Sequence, residues 1–205
     1  MIGTPRSEVT AEQSRREYLT DGFVGRRRMV DPELCAFLAN YLMLLGERGS
    51  LTVDRQVEHA ASAYGDPAFD VLLNGMTDMV EDHVGAPLTP SYSFARVYFA
   101  GAELRRHRDR PACEHSVTLH LGSTGGMWPL FIEDLHGRTV EVHQEVGDGL
   151  CYRGMELDHW REPLRSGVHA QVFLHWVRAD GPHAAHAYDQ RAGLGRPPVA
   201  RDGRS

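Results

Sequence analysis

Lysine is missing from all 205 residues, so the 22 basic side chains are arginines throughout. That absence excludes Schiff-base chemistry and any phosphate-binding loop built on a lysine. It is read as genome composition rather than as a functional signal. Cysteine is scarce too: Cys35, Cys113 and Cys151 form no CxxC pair and cannot all be disulfide-bonded within one chain. A reducing, cytoplasmic compartment is the expectation. Positive charge is in deficit, with a formal net charge of −6 at pH 7, whereas a nucleic-acid binder needs a basic footprint. No apolar run approaches the length of a membrane span, and the first residues lack the apolar core of a secretory signal. The partners left are a small molecule, an amino acid or a peptide, not nucleic acid and not membrane. No long heptad pattern supports homodimerisation through the helices, and the sequence does not specify an oligomer.

The length suits one domain with a substantial core. Residues 1–16 are polar and expected to be loose, 17–180 form the domain, and 181–205, rich in Gly, Pro and Arg, are expected to be a flexible tail. EYLTDGFV contains a short strand-like piece. In DPELCAFLANYLMLLGERG, Asp31 is a candidate N-cap ahead of Pro32, with Gly46 or Gly49 as the stop. Leu34, Phe37, Leu38, Tyr41, Leu42 and Leu45 recur there at helical spacing. A second helix is predicted through FDVLLNGMTDMVEDHVG, ended by Gly85. From Pro90 onward the segments SYSFARVYF, HSVTLHLG, WPLFIED, RTVEVHQEV, GDGLCYRG and HAQVFLHWV alternate and are parted by Gly-containing turns. Strands without intervening helices predict a mainly β (α+β) fold: an antiparallel sandwich or jelly roll preceded by packing helices.

The stretch HRDRPACEH, residues 107–115, carries the chemistry. As a kinase loop it fails, because the position five residues past Asp109 is Glu114 and there is no lysine. As a metal site it is better supported. His107 and Asp109, one residue apart at a strand end, project to the same side. A third ligand must come from far along the chain, and His159 lies fifty residues after Asp109, past the strands that return the chain to the same mouth. Two imidazoles and one carboxylate with open positions suit non-haem Fe(II).

Tyr98 with YFAGAELRRHRD, then WPLFIED, GDGLCYRG, and H-x3-P-x3-G before HAQVFLHWV, together with the opening EYLTDGFV…VDPELCAFLANYL, resemble the Fe(II)- and 2-oxoglutarate-dependent dioxygenases. The nearest branch is the small prolyl-4-hydroxylase-like group, and the likeness spans roughly residues 17–178. The resemblance implies a double-stranded β-helix, a jelly roll with helices packed on one sheet. It implies that His107, Asp109 and His159 hold Fe(II), with 2-oxoglutarate as cosubstrate and O2 as oxidant, the outcome being hydroxylation or a related oxidation with succinate and CO2 as coproducts. One position departs from the pattern. Family members place Lys or Arg about ten residues beyond the distal histidine to hold the cosubstrate's far carboxylate. Here that residue is His169, with Gln171 on the same face. Arg161, sharing strand parity with His159, and Arg165, in the following loop, are the substitutes considered, with Arg161 favoured and Tyr98 adding a hydroxyl.

For the substrate, Arg110 is a candidate if the turn at Pro111 redirects it toward the site, and Trp160 either shapes the pocket or fills the core. Alternation sends Arg106 and Arg108 to the opposite face. Glu114 and Asp158 either orient the ligand imidazoles or are solvated. Residues 53–67 and 122–127 are candidate recognition loops without a readable code. Two other readings stay open: a cupin-like non-redox metalloenzyme, and a metal-dependent small-molecule binding protein.

Overall fold

Strand alternation dictates the architecture. In HAQVFLHWV, Ala170, Val172, Leu174 and Trp176 take one face while His169, Gln171, Phe173 and His175 take the other, and all but Phe173 are buried. A strand covered on both faces lies inside a layered fold. The computed structural model describes residues 10–54 and 56–196. In chain order these form α1 (Ala11–Asp21), β1 (Phe23–Arg26), α2 (Pro32–Glu47), β2 (Thr52–Val53), β3 (Ala60–Tyr64), α3 (Pro67–Gly75), α4 (Thr77–Val84) and β4 (Leu88–Phe99). There follow β5 (Leu104–His107), β6 (His115–Ser123), β7 (Leu130–Glu133), β8 (Thr139–Val142), β9 (Gly149–Tyr152), β10 (His159–Arg161) and β11 (Val168–Arg178).

Two antiparallel sheets face each other, one ordered β1-β9-β6-β11-β4-β3-β2 and the other β5-β10-β7-β8. The sheets are not closed into a barrel. This is the predicted jelly-roll arrangement with N-terminal helices. The apolar residues of β4, β6 and β11 pack with α2, α3 and α4 in the main core, which contains Leu38, Leu42, Leu73, Val117, Leu119, Val172 and Trp176. Each buried Leu there contributes about 2 kcal/mol. The opposite faces of β4, β6 and β11 turn polar and look toward the smaller sheet. Among the described residues no helix is long and apolar enough to cross a membrane.

Local chemistry explains the element ends. Asp31 caps α2 by accepting from the Glu33 amide at 2.8 Å, with Pro32 at the first helical position. The helix turns a narrower face inward than expected: Cys35, Leu38 and Leu42 are buried, while Leu34 and Phe37 are exposed. The predicted second helix is two. It breaks at Met76: α3, capped by Asp66, ends at Gly75, and α4 begins anew at Thr77.

Two boundaries differ from expectation. Residues 11–16, expected to be loose, belong to α1, because Thr10 caps the helix and Tyr18 anchors it in the core. Residues 181–196, expected to be flexible, lie against the domain through a kinked segment, Ala184–Gln190, that leaves helical backbone at Ala187, and a buried ion pair between Arg191 and Asp70 at 2.6 Å. The remaining parts of both predicted regions, 1–9 and 197–205, lie outside the described residues.

Candidate metal centre

Antiparallel register brings the two histidines together. His159, the first residue of β10, pairs directly with His107, the last of β5, and their rings lie 4.3 Å apart between centroids. Beyond His107 the chain leaves the sheet, and the Asp109 amide donates to the Gly154 carbonyl at 2.9 Å. This holds the Asp109 carboxylate under both rings, with Oδ1 at 3.7 Å from His107 Nε2 and 3.7 Å from His159 Nε2. Gly154 makes the approach possible: a Cβ there would sit 2.5 Å from Asp109 Oδ2 and 2.4 Å from the Cys113 carbonyl.

The imidazoles are oriented for coordination. His107 Nδ1 lies 2.8 Å from the Arg105 carbonyl and His159 Nδ1 lies 3.0 Å from the Leu157 carbonyl. A ring that donates through Nδ1 keeps the Nε2 lone pair free for a cation. Main-chain carbonyls therefore do the work that Glu114 and Asp158 were candidates for. Glu114 instead accepts the Arg178 amide, and Asp158 pairs with Arg106 and Arg108 on the outer face. Burial pushes the Asp109 carboxyl up to about 6, with the His107 charge opposing, and burial lowers both histidines. The donor set is thus two neutral imidazoles and a carboxylate whose charge is unfavourable without a cation. The three donor atoms lie within 4.8 Å of one another. They suit a first-row divalent metal with open positions.

No protein-family model matches the sequence, and no curated protein matches it. Solved structures do match. A Pseudomonas putida prolyl-4-hydroxylase superposes with a TM-score of 0.69 at 18% identity, covering 82% of this chain and 99% of that one. SnoN, a non-haem α-ketoglutarate-dependent epimerase from nogalamycin biosynthesis, gives 0.74 at 13% identity, covering 95% and 92%. HygX from Streptomyces hygroscopicus, solved with nickel and 2-oxoglutarate, gives 0.66 at 13%, covering 82% and 87%. The fold is that of the 2-oxoglutarate and Fe(II) oxygenases.

In this oxygenase fold the three donors open onto a cavity of about 280 Å³ between the sheets. Tyr92, Phe94 and Phe173 give it aromatic walls, and Arg96 and Arg110 are its cations. Arg110, just ahead of Pro111, does face the cavity, where both of its terminal nitrogens meet the Asp189 carboxylate, at 2.8 and 2.6 Å. Arg96 was not anticipated. It pairs with Asp54 at 2.6 Å and donates to Gln56 at 3.0 Å and to the Tyr98 hydroxyl at 3.1 Å. Asp54 and Gln56 lie some forty residues away in sequence, and only the parity of Arg96 with Tyr98 on β4 marks it locally.

Deeper between the sheets lies a second polar cluster. It gathers Tyr98, Arg161, His169 and Gln171, as expected, and adds Thr118, His120, Trp128 and Gln144. His169 Nε2 lies 2.7 Å from Gln171 Oε1 and stacks on His120 at 4.3 Å. Gln171 donates to Thr118 Oγ1 at 2.6 Å, and Gln144 Oε1 accepts from both Gln171, at 3.3 Å, and Arg161, at 3.2 Å. Arg161 also donates to the Trp128 carbonyl. These acceptors are neutral. Arg161 is 2% exposed, and its Nε, like His120 Nε2, is buried without a hydrogen-bond partner among the described residues. Burial pulls the Arg161 guanidinium down to about 10. A buried cation with no counter-charge and spare donors is a fitting receiver for a carboxylate.

Two expected contacts are not made. Trp160 stacks on Phe131 at 5.6 Å and lies against Arg106 at 4.9 Å, on the outer face of the smaller sheet. Alternation within β10 points it away from the cavity. Arg165 is exposed beside an outer groove with Pro163 and Ser166, because the chain has left the sheet by then.

Proposed function

We propose that the protein is an Fe(II)- and 2-oxoglutarate-dependent oxygenase acting on a small molecule, an amino acid or a peptide. The observation that carries this reading is the convergence of two freed Nε2 atoms and one carboxylate, with an uncompensated buried arginine two residues beyond one of them. His107, Asp109 and His159 would hold the metal. With 2-oxoglutarate and O2, bound iron supplies oxidation of a C–H bond, with succinate and CO2 as coproducts.

The chain's own residues do the positioning. Residues i and i+2 of a strand lie roughly 7 Å apart on one face, so Arg161 stands at about the length of a five-carbon dicarboxylate from His159. Arg161 brings its spare donor to the far carboxylate, while Tyr98, His169 and Gln171 complete its surroundings. The aromatic walls exclude water from the reacting end.

The test is an anaerobic titration of metal-free protein with Fe(II) and then 2-oxoglutarate. A weak visible charge-transfer band is expected, and it should vanish in Asp109→Ala. Iron binding without the band would remove 2-oxoglutarate from the reading and favour the non-redox metalloenzyme. That alternative draws on one fact: Arg161 does not itself line the cavity onto which the three donors open.

A further inference from the structure

The chain after β11 turns back over the mouth of the metal cavity and is tied down at two points. On one side the Ser91 hydroxyl donates to the His186 carbonyl at 3.1 Å. On the other, the fully buried Arg191 pairs with Asp70 and donates to the Ser91 carbonyl at 3.1 Å. Between the ties run Tyr188, Asp189 and Gln190, with φ of 55°, 50° and 65°. Three successive side-chain-bearing residues in the left-handed region are disfavoured unless contacts hold them.

What holds them is the Asp189 carboxylate. It accepts both Arg110 terminal nitrogens and the Tyr64 hydroxyl, the last at 2.5 Å. Arg110 lies over the Tyr92 ring at 4.4 Å, and Tyr64 stacks on Tyr92 at 5.1 Å. Arg110, Tyr64 and Tyr92 line the same cavity as the three metal donors, whereas Asp189 reaches them from outside it. A planar guanidinium fork with a phenol beside it has the geometry of a carboxylate receiver. The neighbouring Tyr92, Phe94 and Phe173 rings would take an apolar body.

We propose that Arg110 and Tyr64 form a carboxylate-binding subsite at the mouth of the metal cavity, occupied by the chain's own Asp189, and that a substrate with a carboxylate on an apolar or aromatic body binds by displacing it. Calling that ligand a substrate rests on the oxygenase reading. The exchange replaces one carboxylate by another on the same fork. It also lets the left-handed run relax, and neither tie has to break.

The test uses the full chain, metal-free, with phenylacetate as probe, read by calorimetric titration and by amide hydrogen exchange at residues 188–190. Asp189→Asn should bind phenylacetate at least tenfold more tightly than the unaltered protein, the gain expected if the subsite is vacant in about one molecule in ten. Arg110→Ala should abolish binding, and Tyr64→Phe should weaken it several-fold. In the unaltered protein, phenylacetate should speed exchange at 188–190. The proposal is overturned if Asp189→Asn binds no more tightly, if neither protein binds, or if Arg161→Met rather than Arg110→Ala abolishes binding. Tyr64→Phe keeps the test decisive should Arg110→Ala fold poorly. Because no metal is present, a failed Fe(II) and 2-oxoglutarate titration would remove the oxygenase reading and leave this subsite standing.

Discussion

Replacing Arg161 by Met separates a binding cation from a structural one. The guanidinium is 2% exposed and meets only neutral acceptors, and burial brings it down from its ordinary value to about 10. For a base, a lowered folded pKa means the unfolded chain holds the proton more tightly. The destabilisation is therefore fully present at neutral pH and fades only as pH rises through about 10 toward the ordinary arginine range. A displacement of that size corresponds to about 3 kcal/mol. Its hydrogen bonds to Trp128 and Gln144 offset about 1 kcal/mol each. Met keeps most of the stem's packing, so the ligand-free variant should gain about 1 kcal/mol, or a rise in Tm of roughly 3 °C for a chain of this length.

The response to ligand should reverse the order. At a hundred times Kd, 2-oxoglutarate stabilises a binding protein by about 2.7 kcal/mol, or roughly 5–10 °C. The unaltered protein, loaded with manganese(II), should show that rise in scanning calorimetry. Arg161→Met should show almost none. If the variant instead loses more than about 5 °C without ligand and keeps the full 2-oxoglutarate-dependent rise, the cation is structural and the reasoning fails.

Three other outcomes follow from the packing. Burial holds His115 down to about 4, with Arg153 adding to it, and His175 down to about 3, with Arg110 adding to it. Both stay neutral in the fold and charge on unfolding below pH 6.5, so stability should fall by roughly 2 kcal/mol for each between pH 8 and pH 5. His115→Phe should remove about half of that loss in Tm measured against pH, and an unchanged slope would refute the assignment. Arg191→Ala strands the Asp70 carboxylate, 2% exposed at its side chain, and should cost 3–5 kcal/mol in urea unfolding. A change below about 1 kcal/mol would show that residues 181–196 add nothing to stability. Trp160→Ala removes an outer-face stack and should cost about 1 kcal/mol while leaving metal and 2-oxoglutarate affinity within twofold. A tenfold loss of either affinity would return the ring to the site.

The candidate donors were legible because the H-x-D pair at a strand end and the strand return that brings His159 beside it are written locally. His107 ends β5, and Asp109 lies two residues past it, where the close approach of Gly154 lets its carboxylate reach 3.7 Å from both Nε2 atoms. The strands were legible for the same reason, while the break at Met76 was not, since the helical spacing runs through it unbroken. Arg96 and Arg191 were hidden by distance. Their partners Asp54 and Asp70 lie far away in sequence, and the parity that puts Arg96 on the face of Tyr98 does not say that it is paired. Composition misled most at 181–196, where Gly, Pro and Arg read as a tail. A single buried arginine is enough to tie such a segment down, and average composition does not register it.

The three residues of β10 show how far parity reaches. His159 points inward to the metal donors, Trp160 outward onto Phe131, and Arg161 inward to the polar cluster. The alternation that selects Arg161 also rejects Trp160, so the two expectations for these neighbours could not both hold while the strand stayed regular. Arg165 fails for the complementary reason. Leu164 is buried and its amide donates to the Ala102 carbonyl at 2.8 Å, so the chain there is committed to the loop beside β5 and carries Arg165 to the surface. On this side of the fold the buried cation therefore stands two residues from His159. There it shares the histidine's face, and its distance from the three donors is set by the strand rather than by a mobile loop.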